Sequence, residues 1–417
     1  SDNGKINSCQ TTCNVKANAK AAIILCGGFL GLNSGKIEDC IVKGEVYGYS
    51  SYSAAKGLGI IHGICSAVLY GTALIPCLMM RLFENCEICE IYGNYILFIV
   101  CSCLFVNIGL DIYLYSLEAI NIKDYYVNVG GFCGSNIGEI SGSRFEGIAT
   151  ANAKTFKTKC GGFVGGNDKK GKISSCISKG SATGQEYVGG FCGNNTGKIS
   201  KSNSEGNATA KTVSNTNRCG GFIGENRGIV KDSNVKGSAT GEEYVGGFAG
   251  VNKSEISGCH AYGKATAKTK THTALAGGFV GENNNGKITN CTATGGADSR
   301  SSSGNAKAGG FVGINKASIM NSKASGNVYL SAGTFYKDDG CGGFVGKNDQ
   351  GGSIGGCYVE ITVETTNKKK GGGFVGEAGN NSTIKNSQCK TKIVTKSGAK
   401  INTKFCENKD KKAVVQN

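Results

Sequence analysis

Three cysteine pairs are the residues best placed for covalent chemistry in this chain. Cys26 with Cys40, Cys160 with Cys176, and Cys341 with Cys357 stand 14 to 16 positions apart, and their recurrence together suits disulfides formed in an oxidising compartment. The same residues serve equally as small, free core thiols. The total of 21 cysteines is odd, so at least one has no partner within the chain. Cys86-x-x-Cys89 has the spacing of half a zinc or redox site, but no second pair stands near it. The three histidines, His62, His260 and His272, are scattered, and no His-Glu-x-x-His occurs. Gly161 to Asp168 has the composition of a calcium-binding turn, yet the acidic residue after the asparagine recurs only at Asp349. A phosphate loop should occur once and end in Gly-Lys-Ser/Thr, and no such ending is present. No cofactor is expected. Acidic residues are mainly isolated, so the chain is expected not to be an enzyme.

The elements that hold these residues repeat. Gly-Gly-Phe begins at Gly27, Gly130, Gly161, Gly189, Gly220, Gly246, Gly277, Gly309, Gly342 and Gly372, with intervals of about 30 residues after Gly130. Glycine makes up 68 of 417 residues, but a single proline excludes collagen and proline-rich disorder. Each unit reads Gly-Gly-Phe-x-Gly-x-Asn, then Gly-Lys-Ile-x-x-Cys/Ser, then an Ala/Thr-rich return. Short apolar runs punctuated by Asn-Gly and Thr-Gly predict three short strands and three turns per repeat, with no stripe of helical period.

Stacked coil on coil, such units place equivalent residues about 4.8 Å apart. Phe132, Phe163, Phe191, Phe222, Phe248, Phe279, Phe311 and Phe344, with Phe29 and Phe374 at the ends, are expected to form an interior aromatic stack. Asn136, Asn167, Asn226, Asn315 and Asn348 belong to an asparagine ladder completed by Asn33, Asn195, Asn252 and Asn283, which ends where Ala378 takes the position. A third column runs Cys9, Cys40, Ser143, Cys176, Ser202, Ser233, Cys259, Cys291, Ser322, Cys357, Ser387. The interchange of cysteine and serine there reads as a demand for small size.

Gly-Gly-Phe-Val-Gly-x-Asn followed closely by Gly-Lys-Ile-x-x-Cys, as at 161 to 176 and 277 to 291, is similar to the GLUG motif. That glycine-rich repeat occurs in large secreted and surface-anchored proteins, among them adhesin-like proteins and some bacterial immunoglobulin A peptidases. The resemblance covers residues 1 to 50 and about 123 to 390. It implies an all-β fold, a parallel β-helix (solenoid) of about ten or more coils of roughly 30 residues with one apolar insertion. It carries over no catalytic residue, and this chain departs from the motif in its phenylalanines and its wealth of cysteine.

The organisation expected is then four parts: N-terminal repeats at 1–50, an apolar insertion at 51–122, the main array at 123–400 and a polar, lysine-rich tail at 401–417 that reads as a linker or mobile end. Within the insertion, 57–80 and 91–110 lack Lys, Arg, Asp and Glu and are long enough to span a hydrocarbon core. Three readings stand side by side: a membrane hairpin giving membrane contact through 57–110, a packed insert, or a gene-model artefact. The net charge of +16 comes mostly from lysines in turns, such as Lys169, Lys170, Lys268, Lys270 and 368–370. These discourage edge pairing and offer a surface for anionic glycans. Nucleic acid is not an expected partner, since no aromatics are interleaved with the basic turns. Among Asn-x-Ser/Thr sequons, Asn207 is expected to be open to glycosylation and Asn252, in the ladder, closed. The chain begins in mid-repeat, as a processed or truncated piece would, and an uncapped end invites end-to-end self-association. The function expected is that of a non-catalytic, secreted or cell-surface repeat protein, adhesin-like or structural, meeting a host or matrix surface. A filament subunit and a polysaccharide-active β-helix enzyme are the alternatives.

Overall fold

In the computed structural model, the described residues are 4–19, 23–50, 126–153, 157–211, 217–332, 339–366, 371–395, 406–408 and 414–416. They build a parallel β-solenoid. Each coil contributes to four sheets, one more than the three strands expected per repeat. The Gly sheet has 10 strands, from Ile23–Gly27 to Gly371–Gly372, and leads through the Gly-Gly-Phe turn into the Asn sheet of 11 strands, which starts at Leu30–Asn33. The Ile sheet of 12 strands follows, beginning with Lys5–Asn7. The fourth, the long sheet, is made of single strands such as Arg144–Ala153 in some coils and of two short pieces, such as Ile177–Ser178 and Ser181–Gly184, in others. The Ser-Ala-Thr-Gly links counted as return segments are these second pieces.

Pairing is parallel throughout and in register except at the last Asn-sheet pair, where the register shifts between Val375 and Ala378. Ile6, Ile37, Ile140, Ile173, Ile199 and Val230 are successive partners in the Ile sheet, so the isoleucine of every Gly-Lys-Ile lies on its counterpart and points into the core. The residue before each Cys/Ser position adopts a positive φ, among them Asp39, Gly142, Ser175, Lys201, Asp232, Gly258, Asn290, Asn321, Gly356 and Asn386. That left-handed step turns the chain from the Ile sheet into the long sheet.

The stack continues across the insertion. Ile41–Ser50 pairs with Arg144–Ala153 along ten positions, and Tyr126–Gly130 lies between Ile23–Gly27 and Lys157–Gly161. Residues 1–50 and 126–417 therefore form one compact unit. The expected insertion, with its candidate membrane spans and Cys86-x-x-Cys89, lies outside the described residues. Among the described residues no helix is long and apolar enough to cross a membrane. The tail read as a linker contributes Cys406–Asn408 to the Asn sheet and Val414–Gln416 to the Ile sheet.

The interior divides into two apolar cores. The larger holds the phenylalanines, the isoleucines and most of the Cys/Ser corner. The smaller lies between the Gly sheet and the second half of the long sheet, where Val129, Cys160, Val188, Cys219 and Val245 face Ala149, Ala182, Ala208, Ala239 and Ala265.

Candidate functional site

The repeated residues are spent on three internal ladders. From Phe132 to Phe374 every ring is fully buried, and successive ring centroids lie 4.7 to 5.0 Å apart with planes within 20° of parallel. Parallel strands impose that spacing, and slipped stacking accepts it. Only at the N-terminal end, between Phe29 and Phe132, does the spacing open to 5.3 Å and the tilt to 35°.

In the asparagine ladder each side-chain Nδ2 donates to the Oδ1 of the next coil. The chain of bonds runs from Asn33 through Asn136, Asn167, Asn195, Asn226, Asn252, Asn283 and Asn315 to Asn348, at 2.8 to 2.9 Å throughout. The amides also donate to carbonyls of their own turn, as Asn136 does to Gly138 O, so their donors are used and no ligand is needed to satisfy them.

The Cys/Ser column is more than a matter of size. Each hydroxyl or thiol donates to the carbonyl two residues earlier, as Ser143 does to Ser141 O at 2.9 Å and Cys176 to Ser174 O at 3.2 Å. The five serines and Cys291 also accept a backbone N–H from the preceding coil: Cys40 N to Ser143 Oγ, Cys176 N to Ser202 Oγ, Ser202 N to Ser233 Oγ, Cys291 N to Ser322 Oγ, Cys357 N to Ser387 Oγ and Cys259 N to Cys291 Sγ. Alanine would fit the space and leave those buried N–H groups unpaired, which is why the column holds Cys or Ser.

The expected disulfides do not form. Cys26, Cys40, Cys160, Cys176, Cys341 and Cys357 are all buried free thiols. Cys26, Cys160 and Cys341 stand on the Gly sheet, whereas Cys40, Cys176 and Cys357 stand at the Ile-sheet corner, with an Asn-sheet strand and an Ile-sheet strand between them along the coil. For the first two pairs the partners also open onto different cores. Burial pushes the Cys160 and Cys176 thiols up to about 12, and Cys357 to about 11. These are inert packing groups rather than nucleophiles.

Outside the ladders, charges alternate along the axis in places, although Lys5 stacks on Lys36 and Lys172 on Lys198. Glu146 pairs with Lys43, and Glu205 sits between Lys179 and Lys236, at 3.5 to 3.9 Å. Lys172 reaches Glu139 at 2.6 Å and Lys231 reaches Glu255 at 3.1 Å. In-register stacking would set like charges about 4.8 Å apart, and alternation removes that repulsion. Lys169, Lys170, Lys198 and Lys201, exposed on neighbouring coils, have no ion pair among the described residues. Lys268 and Lys270 are also exposed; 368–370 lie outside the described residues.

One charged cluster was missed because its members occupy non-equivalent positions in successive repeats. Arg218 lies 2.9 Å from Glu225 and 3.5 Å from Glu186, and its guanidinium covers the Tyr187 ring at 4.9 Å. Arg227 and Lys253 close on Glu225 as well. Burial raises the Glu186 carboxyl against the pull of Tyr187 and Arg218, and it raises the Tyr187 phenol to about 12. Two carboxylates on one arginine are the arrangement a polysaccharide-active site would need. Here Glu225 has no exposed side-chain surface and is held by three cations, so the cluster braces adjacent coils and does not face solvent as an acid/base pair.

Asn207 is exposed, with its Oδ1 accepting Ser238 N–H at 2.9 Å, whereas Asn252 is fully buried in the ladder. No group of three or more His, Cys, Asp or Glu among the described residues is placed to hold a metal ion. Asp168, in the calcium-like turn, accepts from Ser135 Oγ at 2.8 Å.

The family model of the GLUG motif matches residues 272–298 and 304–329, two adjacent coils that include Phe279, Asn283, Phe311 and Asn315 of the ladders. No curated protein and no solved structure matches the chain.

Proposed function

We propose that this GLUG-repeat solenoid is a non-catalytic scaffold of the adhesin-like kind, displayed outside the cell. The observation that carries this is the division of labour in each coil. Phenylalanine, asparagine and Cys/Ser, which recur in nearly all coils, are consumed by internal ladders, while several outward columns change identity from coil to coil. In the outward column that opens the long sheet, Arg144, Ile177, Asn203, Asn234, His260, Thr292 and Lys323 are successive partners. A solenoid with a constant interior and a variable skin suits attachment better than catalysis, and an anionic glycan of a host or matrix surface has its best foothold at Lys169, Lys170, Lys198 and Lys201. Two measurements test the proposal. Antibody labelling of intact cells should reach the chain, and purified protein should adhere to matrix-coated surfaces without degrading a polysaccharide panel. Turnover of any polysaccharide, or labelling only after permeabilisation, would overturn it.

A further inference from the structure

The long sheet is broken in successive coils, and the break opens an external cleft. Its strands are split at Ile177–Ser178 and Ser181–Gly184, Asn203–Ser204 and Ala208–Ala210, Asn234–Val235 and Ala239–Gly241, and His260–Ala261 and Ala265–Thr269. The next coil is split as well, at Thr292–Ala293 and Ala297–Ser301, and on either side of these five lie coils whose strands run unbroken, Arg144–Ala153 and Lys323–Ala332. Glycine stands at each break. A Cβ on Gly206 would lie 2.1 Å from Gly180 O, one on Gly237 1.9 Å from Gly206 O, and one on Gly263 2.0 Å from Gly237 O. Only glycine allows the backbones to stack so closely at the bend.

The cleft measures about 510 Å³ and is lined by Ile177, Asn203, Glu205, Asn234, Lys236 and Tyr262, a size within the usual range for small-molecule sites. Its chemistry differs from that of the rest of the surface. Tyr262 is 51% exposed, the most open of the large apolar side chains among the described residues, while the stacked phenylalanines from Phe132 onward show no surface. Its ring stands 6.5 Å from that of His260. On the wall, Asn234 donates to Asn203 Oδ1 at 3.1 Å, but its own Oδ1 is shielded from solvent and accepts no hydrogen bond. Glu205 lies 3.9 Å from both Lys236 and Lys179, so this stretch carries charges of both signs and no strong field for a polyanion.

We propose that this cleft binds a neutral, hydroxyl-rich carbohydrate. One face of a sugar ring lies on Tyr262, and hydroxyls meet Asn203, Glu205 and Lys236 of the lining. An exposed aromatic plane beside planar amides suits the apolar face and polar rim of a pyranose. This gives the adhesive reading a second, chemically distinct contact and rests on that reading for its biological use.

The full chain is titrated by calorimetry and ligand-observed NMR with neutral tetrasaccharides (β-1,4-, β-1,3- and α-1,4-linked glucose, and mannose) and with heparin. At least one neutral sugar should bind with an affinity that added salt leaves unchanged. Tyr262→Ala and Asn234→Ala should each weaken it by about tenfold or more, while Tyr262→Phe should retain it. Tyr262 is exposed, so its variants test binding without disturbing the core, and circular dichroism checks the fold of Asn234→Ala. No neutral binding, binding of heparin alone, or binding indifferent to Tyr262→Ala would overturn the cleft and leave the scaffold reading standing. Sugar binding that depends on Tyr262, in a chain that adheres to no matrix, would sink the adhesive reading and leave the cleft.

Discussion

The two cores of a coil obey opposite rules. In the larger, each coil brings a phenylalanine of the same shape to the same place, and the space is filled by side-chain volume. In the smaller, alanines of the long sheet face valines and cysteines of the Gly sheet, and the space is closed by the approach of backbones. The boundary is the glycine two residues after each phenylalanine. A Cβ on Gly165 would lie 2.6 Å from Gly134 O and 2.8 Å from Val129 N, so the Asn sheet rests there directly on the Gly sheet. One cross-section thus contains a compartment intolerant of smaller residues and another intolerant of larger ones.

Substitutions at four positions put that contrast at risk, beginning with the largest expected effect. Phe222→Ala, in mid-stack, should destabilise by about 3–5 kcal/mol, read as a lowered urea midpoint; a loss under about 1 kcal/mol would mean that the stack collapses onto the gap. Ala239→Leu should destabilise by about 1–3 kcal/mol by forcing the sheets apart; a neutral or stabilised variant would show slack in the smaller core and break the comparison. Ser233→Ala should lose about 1–2 kcal/mol because Ser202 N–H is orphaned, while Ser233→Cys should stay closer to the parent. Equal stability of the alanine and parent proteins would return the column to a question of size alone.

The smallest effect concerns the skin of the smaller core. Asp298 is buried, which raises its carboxyl, but Arg300 and Lys264 outweigh that and hold it below the usual range. A lowered folded-state value contributes stability above the unfolded pKa, and that contribution is lost as pH falls through the folded value. Asp298→Asn should therefore be less stable by about 1 kcal/mol near neutrality and should converge with the parent in acid. A difference that persists at low pH would point to packing instead.

What could be read from the sequence followed from repetition. Phenylalanine, asparagine and Cys/Ser occupy their columns in nearly every copy, so the period alone assigned them to the interior. The fourth sheet was not legible, because pieces such as Ser181–Gly184 and Ala239–Gly241 contain alanine, threonine and glycine, with none of the β-branched alternation that signals a strand. The left-handed step escaped notice because Asp39, Ser175, Lys201 and Asn290 share a backbone conformation and no side-chain type. Cysteine spacing misled for a different reason. Cys160 and Cys176 are near in sequence, but the chain between them passes through two sheets. The candidate cleft left no motif either, since Asn203, Asn234 and Tyr262 come from three coils and occupy two columns that change residue with each turn.

The asparagine ladder has a property that belongs to no single bond. All eight amide-to-amide bonds from Asn33 to Asn348 point the same way, and the backbone N–H groups that enter the Ser/Cys column also run from each coil to the one after it. The rod is therefore vectorial. Aligned amide dipoles add along the axis as they do in a helix, and each bond polarises the next. Its two directions along the axis are electrically unlike. Polarity of this kind distinguishes head from tail in any assembly such a rod enters, with no charged side chain required.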